Sequence, residues 1–111
     1  MQINDQLLHL KKTNKDFTPF FVSCEKGYIA GTYLHTENQI CVSHTVCQNC
    51  FKDLILYLIN KFKTNNILIH NVMRLSSWNK LRGFEKIKIL DPYIREEVLC
   101  LKGKWQTNAI P

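Results

Sequence analysis

The sequence predicts an α/β domain of the α+β kind, in which a three-strand antiparallel meander leads into a strand, helix, strand crossover. Three observations carry this. Three short segments rich in β-branched and aromatic residues follow one another from residue 17 to residue 45, parted by hairpin-length turns. Phe51, Leu54, Ile55, Leu58 and Phe62 then recur at the spacing of one helix face. The segment Asn66-Ile-Leu-Ile-His-Asn-Val72 next carries an apolar run without alternation, as expected of a strand buried on both faces.

The elements follow in order. Residues 3–12 place Ile3, Leu7, Leu8 and Leu10 at near-helical spacing. Asn4 or Asp5 serves as cap, and Lys11 and Lys12 end the segment where the helix dipole favours cations, so a first helix is expected. The meander comprises Phe17–Cys24, Tyr28–Leu34 and Gln39–Thr45, joined by the turns Glu25-Lys-Gly27 and His35-Thr-Glu-Asn38. The amphipathic helix covers Phe51–Lys63 and hands over to the strand at 66–72, which implies a parallel pairing across the crossover. Leu75–Leu81 predict a short helix that stops before Gly83. Strands Phe84–Leu90 and Glu96–Leu101 follow, around the turn Asp91-Pro-Tyr, and the tail at 103–111 is expected to fray.

A chain of 111 residues without repeats or linkers suits one domain around one core. The longest apolar run, Leu54–Ile59, is core-sized and far short of a bilayer span, so no membrane association is expected. The N-terminus lacks the charged-then-apolar pattern of a secretory signal, which points to the cytoplasm. Five cysteines at irregular spacing fit free thiols in a reducing compartment rather than a disulfide framework. The net charge of +6 suits phosphate-rich partners, whether nucleic acid, a nucleotide cofactor or an acidic protein, and equally suits a merely solvated basic surface.

The segment Asn71-Val-Met-Arg-Leu-Ser-Ser-Trp-Asn-Lys-Leu-Arg-Gly-Phe84 resembles the asparagine, short helix, aromatic, Lys-Leu-Gly-Phe signature of the GNAT superfamily of N-acetyltransferases, with one extra residue before the glycine. The order of elements is similar to that family's core from its second helix onward. The hairpin Glu25–Gly31 resembles its paired central strands, and the likeness spans about residues 5–102. In its short length and missing glycines the chain is also similar to compact GNAT-like proteins of tailed bacteriophages, which would place it in the host cytoplasm or the virion.

The resemblance implies a mixed sheet flanked by helices and an acyl-CoA-dependent transfer of an acetyl group to an amine. In the family, a Gly-rich loop after the strand matching 39–45 cradles the pyrophosphate of acetyl-CoA at a helix N-terminus. Here that loop is Cys47-Gln-Asn-Cys-Phe-Lys52. The cofactor-binding set carried over is Thr45, Val46, Cys47, Gln48, Asn49, Cys50 and Lys52, with Asn71 and Trp78 from the signature segment. The family's usual proton donor falls at Trp78 or Asn79, neither of which is an acid. Candidates for the base are Glu25, Glu37, His35 and His44, of which His44 and Glu25 are taken as the catalytic pair. The alternative implied by the likeness is a non-catalytic phage structural or host-interaction protein on the same scaffold, with a protein as partner.

Two further chemistries are open. Cys41, His44, Cys47 and Cys50 recur every three residues, a soft-ligand spacing, but strand alternation should send Cys41 and His44 to opposite faces, so no metal is assigned. Cys47-Gln-Asn-Cys50 at a helix start has the position of a redox dithiol without the thioredoxin pattern around it. Lys80, Arg82, Lys86 and Lys88, with Arg74, Lys102 and Lys104, form a possible basic rim, and Trp78 and Trp105 offer stacking surfaces. A solvated face with core tryptophans is the favoured account, and nucleic acid is not the favoured partner.

Overall fold

Hairpin turns and one helical crossover order the chain into a single seven-stranded sheet, seen in a computed structural model that describes residues 2–5, 16–70, 72, 83–91 and 94–105. The strands are β1 (Asn4–Asp5), β2 (Phe17–Cys24), β3 (Gly27–Leu34), β4 (Gln39–Cys47), β5 (Asn66–Ile69), β6 (Phe84–Leu90) and β7 (Glu97–Lys104). The one helix among the described residues is α1 (Phe51–Phe62). Strand order is β1-β2-β3-β4-β5-β7-β6, antiparallel throughout except for the parallel pair β4 and β5 that α1 bridges. The fold class is therefore α+β with a mixed sheet.

Local chemistry explains the meander. Glu25 and Lys26 turn the chain inside the Cys24↔Gly27 pair, and a Cβ on Gly27 would lie 1.9 Å from the Val46 carbonyl oxygen. At the next turn Asn38 adopts φ 50°, a left-handed conformation that asparagine tolerates. Its Oδ1 there accepts the Tyr33 hydroxyl at 2.6 Å.

Helix α1 lies on one face of the sheet. Leu54, Ile55 and Leu58 are fully buried, each contributing about 1.5–3 kcal/mol of apolar transfer. Opposite them stand Phe20, Val22, Ile29, Tyr33, Ile40, Val42, Ile67 and Ile69. Phe62 closes the far end, stacked on Tyr33 with ring centroids 4.4 Å apart. No helix among the described residues is long and apolar enough to cross a membrane.

Several expectations are corrected. Asn4 and Asp5, expected to cap a helix over 3–12, are strand residues paired with Ser23 and Val22; residues 6–12 lie outside the described residues. The edge of β2 offers backbone groups that an extended segment satisfies, and Asp5 is held from α1 by the Tyr57 hydroxyl at 2.7 Å and by the Lys61 ammonium. These partners are remote in sequence, so local spacing did not reveal them. Strand β5 ends at Ile69 rather than Val72: His70 N still donates to the Val42 carbonyl of β4 (2.9 Å), but Val72 N donates to the Leu99 carbonyl (2.7 Å), one residue out of the β5–β7 register. It also alternates, with Ile67 and Ile69 buried and Leu68 half-buried. Gly103 and Lys104, expected in a frayed tail, complete β7 by pairing with Ile67 and Asn66. Residues 106–111 and the short helix expected over 75–81 lie outside the described residues, so α1 is the one flanking helix described.

Candidate functional site

The candidate site is the place where β4 and β5 part. Their last paired residues are Val42 and Ile69; His70 N makes the final bond to β4 and Val72 N bonds to β7, while β4 continues to Cys47. From Ser43 onward β4 is paired with β3, and among the described residues no strand lies along its other edge. Ala30 pairs with His44 and Gly31 with Val42, so Ser43 is an extra residue that bulges out of the ladder. Gly31 permits this close pairing, since a Cβ there would lie 1.9 Å from the Cys41 carbonyl oxygen.

This geometry places the residues read from sequence. Thr45 ends the expected strand and pairs with Ile29, while Val46 and Cys47, expected beyond the strand, extend β4 opposite Tyr28 and Gly27. The loop is reduced to Gln48 and Asn49. Gln48 N donates to the Lys26 carbonyl at 3.0 Å, fastening the loop to the β2–β3 turn. Asn49 has φ 62°, so an asparagine takes the left-handed conformation that a glycine would adopt freely. Cys50 is the N-cap of α1 and gives no side-chain capping bond. In the first turn Lys52 and Asp53 are both exposed, and the Asp53 carboxylate offsets the positive end of the helix dipole. Asn71 and Trp78 lie outside the described residues.

His44 and Glu25 occupy the same end of the sheet without touching. His44 is exposed on the face away from α1, one residue past the bulge, and Glu25 is exposed in the β2–β3 turn. Among the described residues no hydrogen bond or ion pair joins them. The other two base candidates, His35 and Glu37, sit in the β3–β4 turn at the opposite end, where His35 Nε2 is 2.6 Å from the Thr18 hydroxyl.

The cysteines divide two ways. The bulge at Ser43 shifts the alternation, so Cys41 and His44 share a face, contrary to the expectation from a regular strand. Cys47 lies on the α1 face, opposite Gly27. There the thiols of Cys47 and Cys24 lie beside that of Cys50. Burial, reinforced by these two neighbours, pushes the Cys50 thiol up to about 12. Burial, followed by the charge of Glu37, pushes Cys41 up to about 11. All five cysteines are free. Among the described residues no three His, Cys, Asp or Glu side chains are arranged to hold a metal ion.

Sequence reasoning missed one polar network beside the parting strands. His70 Nε2 lies 3.0 Å from Asp91 Oδ2, and His70 Nδ1 lies 3.5 Å from Cys100 Sγ. With Nε2–H donated to the carboxylate, Nδ1 accepts from the thiol. Cys100 is fully buried, which seals its sulfur from any substrate and makes the chain of contacts a strut between β5, β6 and β7. No spacing rule announces residues 70, 91 and 100 as neighbours; a lone histidine ending an apolar strand was the one available signal.

The basic rim resolves in part. Lys86 and Lys88 are exposed and alternate with half-buried Ile87 and Ile89. Trp105 packs between Phe51 and Phe84, with ring centroids 6.0 and 6.5 Å away, rather than offering a free stacking surface. Comparison of the chain with protein-family models, curated proteins and solved structures finds no match to any of them.

Proposed function

We propose that this chain is a GNAT-like protein that binds acetyl-CoA where β4 and β5 part and transfers the acetyl group to an amine. The observation that carries the reading is the parting itself: a bulged strand whose far edge no strand among the described residues covers, leading through a short loop into a helix. The order of meander, crossover helix, parallel strand and two antiparallel strands agrees with the order that the resemblance implies.

The residues present fit the cofactor's phosphates without a glycine. Asn49 supplies the left-handed turn, no capping side chain crosses the start of α1, and Lys52 brings a cation to its first turn. Thr45, Val46, Cys47, Gln48, Asn49, Cys50 and Lys52 would hold the ligand, with backbone groups doing most of the binding. When bound, acetyl-CoA supplies an activated acetyl group. His44, exposed beside the bulge, takes the proton that the amine releases. Glu25, exposed at the neighbouring turn, holds the approaching ammonium before it is deprotonated.

Calorimetry with acetyl-CoA on the full chain tests this. A saturable heat, weakened by Lys52→Ala, and acetyl transfer lost in His44→Ala are the expected results. An absence of heat at millimolar acetyl-CoA removes the enzyme reading. The glycine-free loop favours the second reading, a non-catalytic interaction protein of phage type on the same scaffold. That reading requires no acetyl-CoA heat together with a stable oligomer or a co-purifying protein.

A further inference from the structure

A second concave surface lies at the other end of the sheet, where β4, β5 and β6 begin and β7 ends. It encloses about 910 Å³. Six side chains define its chemistry: Glu37, Gln39, Asn66, Glu85, Lys102 and Lys104. Ile40 and Ile67 pair with one another under α1, so Gln39 and Asn66, one residue earlier on each strand, project to the opposite face. Lys104 stands across from Asn66, and Lys102 across from Glu85. Crossing the sheet in order, the groove presents Glu37 and Gln39, then Asn66, then the two lysines, then Glu85.

Gln39 is the decisive residue. It is only 7% exposed, yet its one hydrogen bond among the described residues is a weak one, accepted by Oε1 from Cys41 Sγ at 3.8 Å. Its amide nitrogen has no partner among the described residues and is reachable from the groove, where an acceptor from outside the fold can meet it. The charges around it also fail to satisfy one another. Glu85 and Lys102 face each other across adjacent strands, but no ion pair among the described residues involves either of them, Glu37 or Lys104. Asn66 spends its amide nitrogen on the Asn38 carbonyl at 3.1 Å, leaving its oxygen as an acceptor.

We infer that this groove binds a short peptide with free termini, its carboxylate on the Gln39 amide and the lysines and its ammonium at a flanking glutamate. A ligand of one sign would be attracted by two of the four charges and repelled by the others, whereas a zwitterion meets both sets. The acidic flanks stand in the turn leading into β4 and on β6, three strand spacings or about 14 Å apart. A tripeptide reaches about 10 Å, so it spans from the centre of the groove to one flank. The inference is independent of the acetyl-CoA reading, whose residues lie at the other end of β4.

The test is titration of the full chain with triglycine, N-acetyl-triglycine and triglycine amide, followed by the side-chain amide resonances of Gln39 and Asn66. Triglycine should shift the Gln39 resonances saturably, and each singly blocked peptide should bind at least about fivefold more weakly. Gln39→Leu replaces the amide with an apolar side chain of similar size and should abolish binding. Because that residue is buried, exposed Lys102→Met provides a second variant, expected to weaken binding at least about threefold without altering the unfolding midpoint. Gln39 resonances that stay unmoved, blocked peptides that bind equally, or a Lys102→Met chain that binds as tightly as the parent would each overturn the inference.

Discussion

Asp91 accepts from His70 at 3.0 Å and at the same time organises the turn that follows β6. Its Oδ1 accepts Ile94 N at 3.2 Å, its carbonyl accepts Arg95 N at 2.8 Å, and its own N donates to the Glu96 carbonyl at 2.9 Å. Asp91→Ala removes the side-chain half of this set and leaves the His70–Cys100 contact unsupported. A loss of about 1–3 kcal/mol is expected in urea unfolding, with Asp91→Asn losing less because an amide oxygen still accepts. An unchanged midpoint in Asp91→Ala would show that the strut carries no stability.

The thiols should react in a fixed order. Cys24 and Cys47 are half-buried, whereas Cys50 is fully buried and its thiol, like that of Cys41, is held well above the ordinary value. Alkylation of the native chain followed by peptide mass mapping should label Cys24 and Cys47 before Cys41, Cys50 or Cys100. Early labelling of Cys50 would contradict the burial described for it.

The thiols of Cys41 and Cys50 make the fold sensitive to alkali. In the unfolded chain they titrate near 9.0, in the folded chain near 11 and 12, so between these values the unfolded state releases protons first. Their contribution is complete below about pH 9 and is lost as pH rises through the folded values. Tyr57, raised chiefly by its hydrogen bond to Asp5, acts in the same direction above the tyrosine range. The urea midpoint should hold steady up to about pH 8 and fall by about pH 10.5, and Cys50→Ser should flatten that fall.

Asn49 tests the loop into α1. Its φ of 62° is tolerated by asparagine, free for glycine and strained for a β-branched residue. Asn49→Gly should leave the melting temperature nearly unchanged, while Asn49→Val should lower stability by about 1–2 kcal/mol. If acetyl-CoA binds, Asn49→Gly should bind it at least as well, since the backbone can then approach the phosphates more closely.

The parts of the fold legible in sequence are those written locally. Glu25-Lys-Gly27 and His35–Asn38 have hairpin length, and Phe51 to Phe62 carry a helical period, so the meander, α1 and the parallel pair could be read directly. What escaped depends on distant partners. Strand β1 rests on Ser23, Val22, Tyr57 and Lys61, and the last residues of β7 rest on Asn66 and Ile67. The bulge at Ser43 reversed the alternation expected for Cys41 and His44, because one inserted residue moves everything after it to the other face. In the candidate site the loop position was legible, but the continuation of β4 through Cys47 was not, since Val46 and Cys47 owe their strand geometry to Tyr28 and Gly27.

An open sheet ends in two rims, and here they are unlike. One is β1, among the described residues a two-residue strip too short to template another chain. The other is β6, long enough to recruit a neighbour, yet it carries exposed Glu85, Lys86 and Lys88 along its length. Ionic repulsion between like lysines discourages rim-to-rim stacking, so the molecule guards against fibrous self-association along this rim. Neutralising both lysines would be expected to trade that protection for precipitation at high concentration.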